Sequence, residues 1–204
     1  MKKQFVLAAM LAAAPFAATA GELSYTYVEG GYAKTHINDD DFNNPEGDGG
    51  FVRGSGAISP SFNVFGGVSR VTEEVDASVF GTPVDVEITQ SELGLGYHTA
   101  MAENVDFLAE LAWLRQDVDV DVRGFGSDGE SFNGGRASIG LRGRMAAPLE
   151  GWVKAGYLDG GDFEGGFVGT LGGQFQFSPT WGLVGEVEFI EDTTQYRFGV
   201  RASF

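Results

Sequence analysis

The chain has 204 residues, enough for one domain, and its 29 acidic against 13 basic side chains give a formal charge of −16. That balance argues against nucleic acid as a partner, because phosphate contacts need lysine and arginine, and the absence of cysteine rules out disulfide stapling. Glycine, at 32 residues, is about twice as frequent as usual yet has no Gly-X-Y period, which excludes collagen, and 17 phenylalanines argue against disorder.

Residues 1–20 read as a cleavable signal peptide. Lys2 and Lys3 precede an apolar stretch of 14 residues, Phe5 to Ala18, and Ala18-Thr19-Ala20 is a small-x-small cleavage site. A membrane anchor would need about 20 apolar residues. Cleavage would leave Gly21 first and take the charge from −16 to −18, since two lysines and no acid are lost.

The rest of the chain alternates apolar and polar residues with period two, so the expected fold is all-β. Tyr25–His36, Phe51–Ile58 and Phe62–Val71 come first, with Glu29, Arg53 and Arg70 as their inward candidates. Gln90 and Glu92 then oppose Leu93, Leu95 and Tyr97, and Glu110 opposes Phe107, Ala109, Leu111 and Trp113. In Arg136–Met145, Ala137, Ile139, Leu141 and Met145 oppose Arg136, Ser138, Arg142 and Arg144; next, Val153, Ala155 and Tyr157 oppose Lys154. Phe167–Phe177 sets Phe167, Leu171, Phe175 and Phe177 against Thr170, Gln174 and Gln176. Trp181–Phe189 sets Trp181, Leu183, Val187 and Phe189 against Glu186 and Glu188. Gln195–Phe204 ends the chain with Tyr196, Phe198, Val200 and Phe204 opposite Gln195, Arg197 and Arg201. Strands of about ten residues suit a tilted crossing of a bilayer.

Ten strands are expected, with eight as the alternative if two of the noisier segments are loops. The architecture is a single closed antiparallel transmembrane β-barrel, and an even count puts both termini on one side. Ser59-Pro60-Ser61, His98–Asn104, Ala146–Glu150 and Ser178-Pro179-Thr180 are the short connections on one side. Ile37–Gly49, Thr72–Glu87, Asp117–Asn133, Asp159–Gly165 and the brief Glu191–Thr194 alternate with them. Short turns inside and longer loops outside are the habit of outer-membrane barrels. The expected location is therefore the outer membrane of a Gram-negative bacterium, with loops extracellular and termini periplasmic.

Energetics choose the outward face. An arginine facing lipid at the midplane costs about 2–4 kcal/mol, so Ile139 and Leu141 face out while Arg136, Arg142 and Arg144 face in. The lumen is then expected to hold Glu29, Glu92, Glu110, Glu186 and Glu188 against Arg53, Arg136, Arg142, Arg144, Lys154, Arg197 and Arg201. Such charges persist only if paired or hydrated, and Glu186 and Glu188 are the candidate partners of Arg197 and Arg201. A mixed-sign ladder would largely fill the interior. The outward column Phe107, Ala109, Leu111, Trp113, Arg115, Asp117, Asp119, Asp121 passes from lipid core through aromatic girdle to acidic rim. Trp113, Arg115 and Trp181 are the expected membrane-interface residues, and Arg115 is placed to meet a lipopolysaccharide phosphate.

The outer connections hold 20 of the 29 acids. Asp39, Asp41, Asp117, Asp119 and Asp121 are weak divalent-cation candidates, but no EF-hand follows Asp39, which lacks the sixth-position glycine and twelfth-position glutamate. A solvated, repulsive surface is the plainer reading. Only His36 and His98 supply imidazole; His36 near Asp39 could be imagined in a surface hydrolase, but no constellation of nucleophile, base and orienting group accompanies it. No enzyme and no cofactor is expected.

Tyr25-x-Tyr27-Val28-Glu29-Gly30-Gly31-Tyr32, Phe62-Asn63-Val64-Phe65-Gly66-Gly67, Leu93-Gly94-Leu95-Gly96-Tyr97, Leu171-Gly172-Gly173-Gln174 and the Phe204-ended last strand resemble the small bacterial outer-membrane β-barrel domain family. More narrowly, the chain is similar to a subgroup of about this length linked to quorum sensing, biofilm and plant immune activation. The resemblance implies export and insertion by the barrel-assembly machinery, which reads a C-terminal aromatic strand: here Tyr196, Phe198, Val200 and Phe204. It brings no active-site residues. Two function classes stand ahead of catalysis: a structural or adhesive surface protein (biofilm or host contact), and a narrow channel for ions or small solutes.

Overall fold

A computed structural model describes residues 23–37, 46–75, 84–122 and 126–204; the expected signal peptide and its cleavage site lie outside them. Ten strands follow one another: β1 (Tyr27–Ile37), β2 (Glu46–Ser59), β3 (Phe62–Val75), β4 (Val84–Ala102), β5 (Val105–Val122), β6 (Gly126–Ala146), β7 (Leu149–Gly160), β8 (Phe163–Gln176), β9 (Trp181–Ile190) and β10 (Thr193–Ser203). Each pairs antiparallel with its sequence neighbours, and β1 closes on β10 from Tyr27↔Ser203 to Ile37↔Thr193. Closure leaves no free edge within the barrel wall, which is what stabilises a sheet without disulfides.

The period-two pattern sorts the two faces. Leu93, Leu111, Ile139, Phe167, Leu171 and Phe198 are among many large apolar side chains exposed on the outside. Glu29, Arg136, Arg142, Glu186, Glu188 and Arg201 are buried inside. Arg70, an inward candidate by sequence, instead faces out near the acidic end of β3 and pairs with Glu87. Its alternation partners Asn63, Ser69 and Val71 take the inner face because their column continues through buried positions.

Several connections are shorter than the sequence suggested. The strands β4, β5 and β6 run for 19, 18 and 21 residues, so much of Thr72–Glu87 and Asp117–Asn133 is sheet rather than loop. Beyond Trp113, β5 continues to Val122, adding roughly 30 Å of strand at about 3.3 Å per residue. The reason lies on the inner face of this extension, where Ile88↔Val118 and Val86↔Val120 are cross-strand pairs of β-branched residues. His98 and Glu150, both expected in short turns, belong to β4 and β7, and each is buried. The β7–β8 turn is similarly tight. Gly160 and Gly161 adopt φ of 90° and 67°, and a Cβ on Gly161 would lie 2.0 Å from the Asn133 carbonyl oxygen.

Many inward glycines are cradles for large side chains of the neighbouring strand. The clearest is Gly172, where a Cβ would sit 2.3 Å from Cε2 of Trp152, its register partner on β7. Gly172→Ala is expected to cost about 1–3 kcal/mol by overpacking, read as a lower urea midpoint of the barrel in detergent micelles. Gly185→Ala, whose added carbon would have its nearest neighbour at 4.0 Å, should leave that midpoint nearly unchanged.

Candidate functional site: the filled lumen and the acidic rim

The lumen can be followed from the end that carries the termini. Just before β1, Tyr25 turns inward and stacks on His98, ring centroids 3.5 Å apart, while its hydroxyl donates to Asp106 at 2.7 Å. The Arg142 guanidinium covers the same ring at 4.9 Å and donates to the Ser24 carbonyl at 2.9 Å. Arg142 and Arg144 share one carboxylate, that of Glu150, at 2.7 and 2.9 Å. A hollow of about 900 Å³ opens at this end, between the short turns and this polar layer.

The next layer centres on Glu29, which Arg53 and Arg201 approach at 2.5 Å from either side. Arg53 also reaches Glu186 at 2.6 Å, and the indole N–H of Trp152 donates to the same carboxylate at 2.8 Å. Arg201, for which the sequence offered Glu186 and Glu188, turns to Glu29 because the register sets them directly opposite on β1 and β10. Its guanidinium lies 4.0 Å over Tyr27 and 5.1 Å from the Trp152 ring. Lys154 meets Glu110 at 2.9 Å.

Above it, Arg136 bridges Glu92 at 2.8 Å and Glu188 at 3.1 Å. Arg197 spans Glu186 at 2.8 Å and Glu188 at 3.2 Å, and also bonds Gln195. The twelve charged residues that the cost of facing lipid turned inward thus line the lumen, each in contact with an opposite charge, Arg70 being the inward candidate that does not. Sequence reasoning missed Glu150, Asp106, Tyr25 and Trp152. Glu150 and Trp152 shared the alternation of Lys154 and could have been read from it. With Glu150 and Asp106 counted, seven acids face seven bases among the described residues, so the lumen carries no net formal charge.

Toward the acidic end the interior turns apolar. Ala33, Phe51 and Val71 pack with Ile88, and Ala112, Leu114, Leu158 and Val168 pack with Phe65 and Ile190. Two small hollows within the network hold about 60 and 20 Å³. The ion pairs are therefore capped by hydrocarbon on one side and by Tyr25 on the other.

Outward, Trp113 stands midway along β5, where its acidic half begins, and Trp181 begins β9 at the turn end, both about half exposed. Tyr196, Phe198 and Val200 are exposed on the outer face of β10, and the Phe204 amide donates to the Thr26 carbonyl at 2.9 Å. At the acidic rim each described cation has a carboxylate partner: Lys34–Glu46 at 2.5 Å, Arg70–Glu87 at 3.2 Å and Arg115–Asp117 at 2.8 Å. Hydrogen bonds from Arg115 and from Ser131 hold the Asp117 carboxyl below the usual carboxylate range, and that from Lys34 does the same for Glu46. His36 bonds Glu46 at 3.1 Å; Asp39, with which it was read, lies outside the described residues.

Of the divalent candidates, Asp39 and Asp41 lie outside the described residues, as does the side chain of Asp121, and Asp117 is taken by Arg115 and Ser131, which leaves Asp119. Among the described residues no three His, Asp or Glu side chains converge as a metal site would require.

The lumen makes a mutational contrast with the rim. Glu29→Ala removes the carboxylate of the buried Arg201, leaving it on the neutral Gln174, and leaves Arg53 on Glu186; it is expected to cost about 3–5 kcal/mol of stability, measured as a lower urea midpoint. Glu46→Gln at the exposed rim should leave the midpoint where it is.

No family model matches the chain, and no curated protein sequence does. Solved structures do. The translocator domain of the autotransporter NalP from Neisseria meningitidis is 12% identical, with 88% of each chain covered and a TM-score of 0.51. The transport unit of the autotransporter AIDA-I from Escherichia coli is 9% identical over 99% of this chain and 98% of that one, also at 0.51. Ail, the attachment invasion locus protein of Yersinia pestis, is 16% identical over 88% and 97%, at 0.48. At such identities the likeness is one of fold, and the fold is a closed antiparallel β-barrel.

Proposed function

We propose that the chain is an integral outer-membrane protein of a Gram-negative bacterium that serves as a structural or surface-interaction element, by adhesion, biofilm or host contact. The observation that carries this is the pairing of an apolar exterior with an occluded interior. Leu111 is 64% exposed, Phe167 61% and Phe198 60%, on faces whose neighbours are equally apolar. A monomer in water rarely exposes contiguous patches of that kind, whereas a bilayer covers them. The neutral ion-pair layers and the two apolar clusters leave little room for solute along the lumen, which weighs against the channel reading.

Orientation follows from the same physics. The end with short turns and both termini faces the periplasm, and the acidic extension stands outside the cell. Trp113 and Trp181 mark the two interfaces, and Arg115 lies level with the outer headgroups, beside lipopolysaccharide. The exposed column Tyr196, Phe198, Val200 with Phe204 is the segment the barrel-assembly machinery would read. The surface-hydrolase alternative has little support, because His36 is engaged by Glu46 alone among the described residues.

The test is twofold. Membrane-extracted protein is expected to migrate differently in gels before and after boiling, and the refolded mature chain to give no stable conductance in planar bilayers. Recovery in the soluble fraction without a heat-dependent shift would refute membrane insertion; a reproducible open pore would transfer the reading to a channel.

A further inference from the structure

The extension beyond the membrane is a sheet with an open side. The β6–β7 pairing begins at Gly135↔Asp159, yet β6 starts at Gly126 and pairs with β5 along its whole length. From Gly126 to Gly134, therefore, β6 has a strand on one side and none among the described residues on the other. Asn133 shows which backbone groups face that side: its N–H donates to the Asp162 carboxylate at 3.1 Å, and its carbonyl accepts from the Asp162 N–H at 2.9 Å. By alternation the backbone groups of Ser131 and Gly129 point the same way. The Gly129 N–H is held only by the carboxylate of its own neighbour, Asp128, at 3.0 Å. Residues 128–131 are all exposed.

The side chains around this edge are mostly acidic, Arg115 being the described cation among them, bound to Asp117 at 2.8 Å and to Ser131 at 3.0 Å. Register sets Asp117 opposite Ser131 and Asp119 opposite Gly129, and both carboxylates reach over to β6. Ser131 donates to Asp117 at 2.5 Å, and the Asp119 carboxylate lies so near Gly129 that a Cβ there would come within 2.6 Å. The small residues on β6 thus let carboxylates from β5 reach a strand laid beside it. On the other face of β6, Asp128 and Glu130 are exposed.

We propose that the β6 edge from Asp128 to Ser131 accepts an extended, lysine- or arginine-bearing segment of another polypeptide as an added strand. Backbone hydrogen bonds to Ser131 and Gly129 supply the pairing, with Asp128 releasing the Gly129 N–H. Cations on the incoming strand meet Asp119 on one face and Glu130 on the other. Asp162, capping Asn133, marks where the added strand must stop. The unpaired edge is the kind that proteins usually blunt with lysine or proline; here it carries neither. The inference rests on the cell-surface reading and names the chemistry of the partner.

The test uses the full mature chain refolded in detergent micelles and a ten-residue peptide alternating lysine and threonine, with affinity read by calorimetry. A second peptide of the same sequence carries methyl groups on alternate backbone nitrogens. Binding is expected to the first, weaker by at least about tenfold for the second, and weaker by a similar factor for Ser131→Pro with the first peptide. Equal affinity for the two peptides would mean plain electrostatic adsorption and would overturn the added strand; so would no binding by a chain that still shows its heat-dependent gel shift. Loss of that shift in the unmodified chain would instead overturn the membrane-barrel reading. Should Ser131→Pro fail to fold, the peptide pair on the unmodified chain still decides.

Discussion

Glu29 sits where the barrel must close. Its partners come from the next strand and from the last one, so a single carboxylate joins Arg53 of β2 and Arg201 of β10 across β1. The contact with Arg201 joins residues 172 apart in sequence. Its side chain has no exposed surface, which makes the charge costly unless both guanidinium groups are in place. An open sheet could not satisfy it. The seam is therefore specified by polar complementarity at one register: a one-residue slip would turn Glu29 outward and take its carboxylate from both arginines.

From that seam the rest of the lumen follows as a packing problem. Long charged and aromatic side chains need room inside a closed wall, and glycine on the adjoining strand provides it. Trp152 over Gly172 and Phe65 over Gly94 are the tightest cases. This gives the high glycine content a physical reason and explains why the strands keep clean alternation only on the outside. Inside, a column can pass from Glu29 to Ala33 or from Arg53 to Phe51 without changing face.

Sequence alone carried the strand number, the antiparallel closure and the direction of most side chains, because a charge facing lipid is expensive enough to orient every strand that holds one. It failed where both faces have the same character. Phe51, Val71, Leu158 and Val168 face inward among apolar neighbours, so no charge marked them and the two hydrocarbon layers went unread. It failed again where polarity was taken for irregularity. Asp117-Val118-Asp119-Val120 is a regular alternation, but its acids suggested a loop, while the structure keeps it as sheet. Tyr25 was assigned to a strand; it lies just before β1, in step with the inward Glu29, and its ring closes the lumen.

That acidic extension looks at first like a misuse of strand. Glu87 lies directly opposite Asp119, and like charges in that position destabilise a sheet. Three terms offset the repulsion. The inner face pairs β-branched residues at the same levels, Arg115 and Arg70 each neutralise one carboxylate, and water screens what remains. Because the described lumen is balanced, the excess of acid among the described residues lies outside it, mostly at this end. The charge thus contributes nothing to closure. It sits where stability is lowest and contact with other molecules is easiest, which is where a surface protein would carry its specificity rather than its fold.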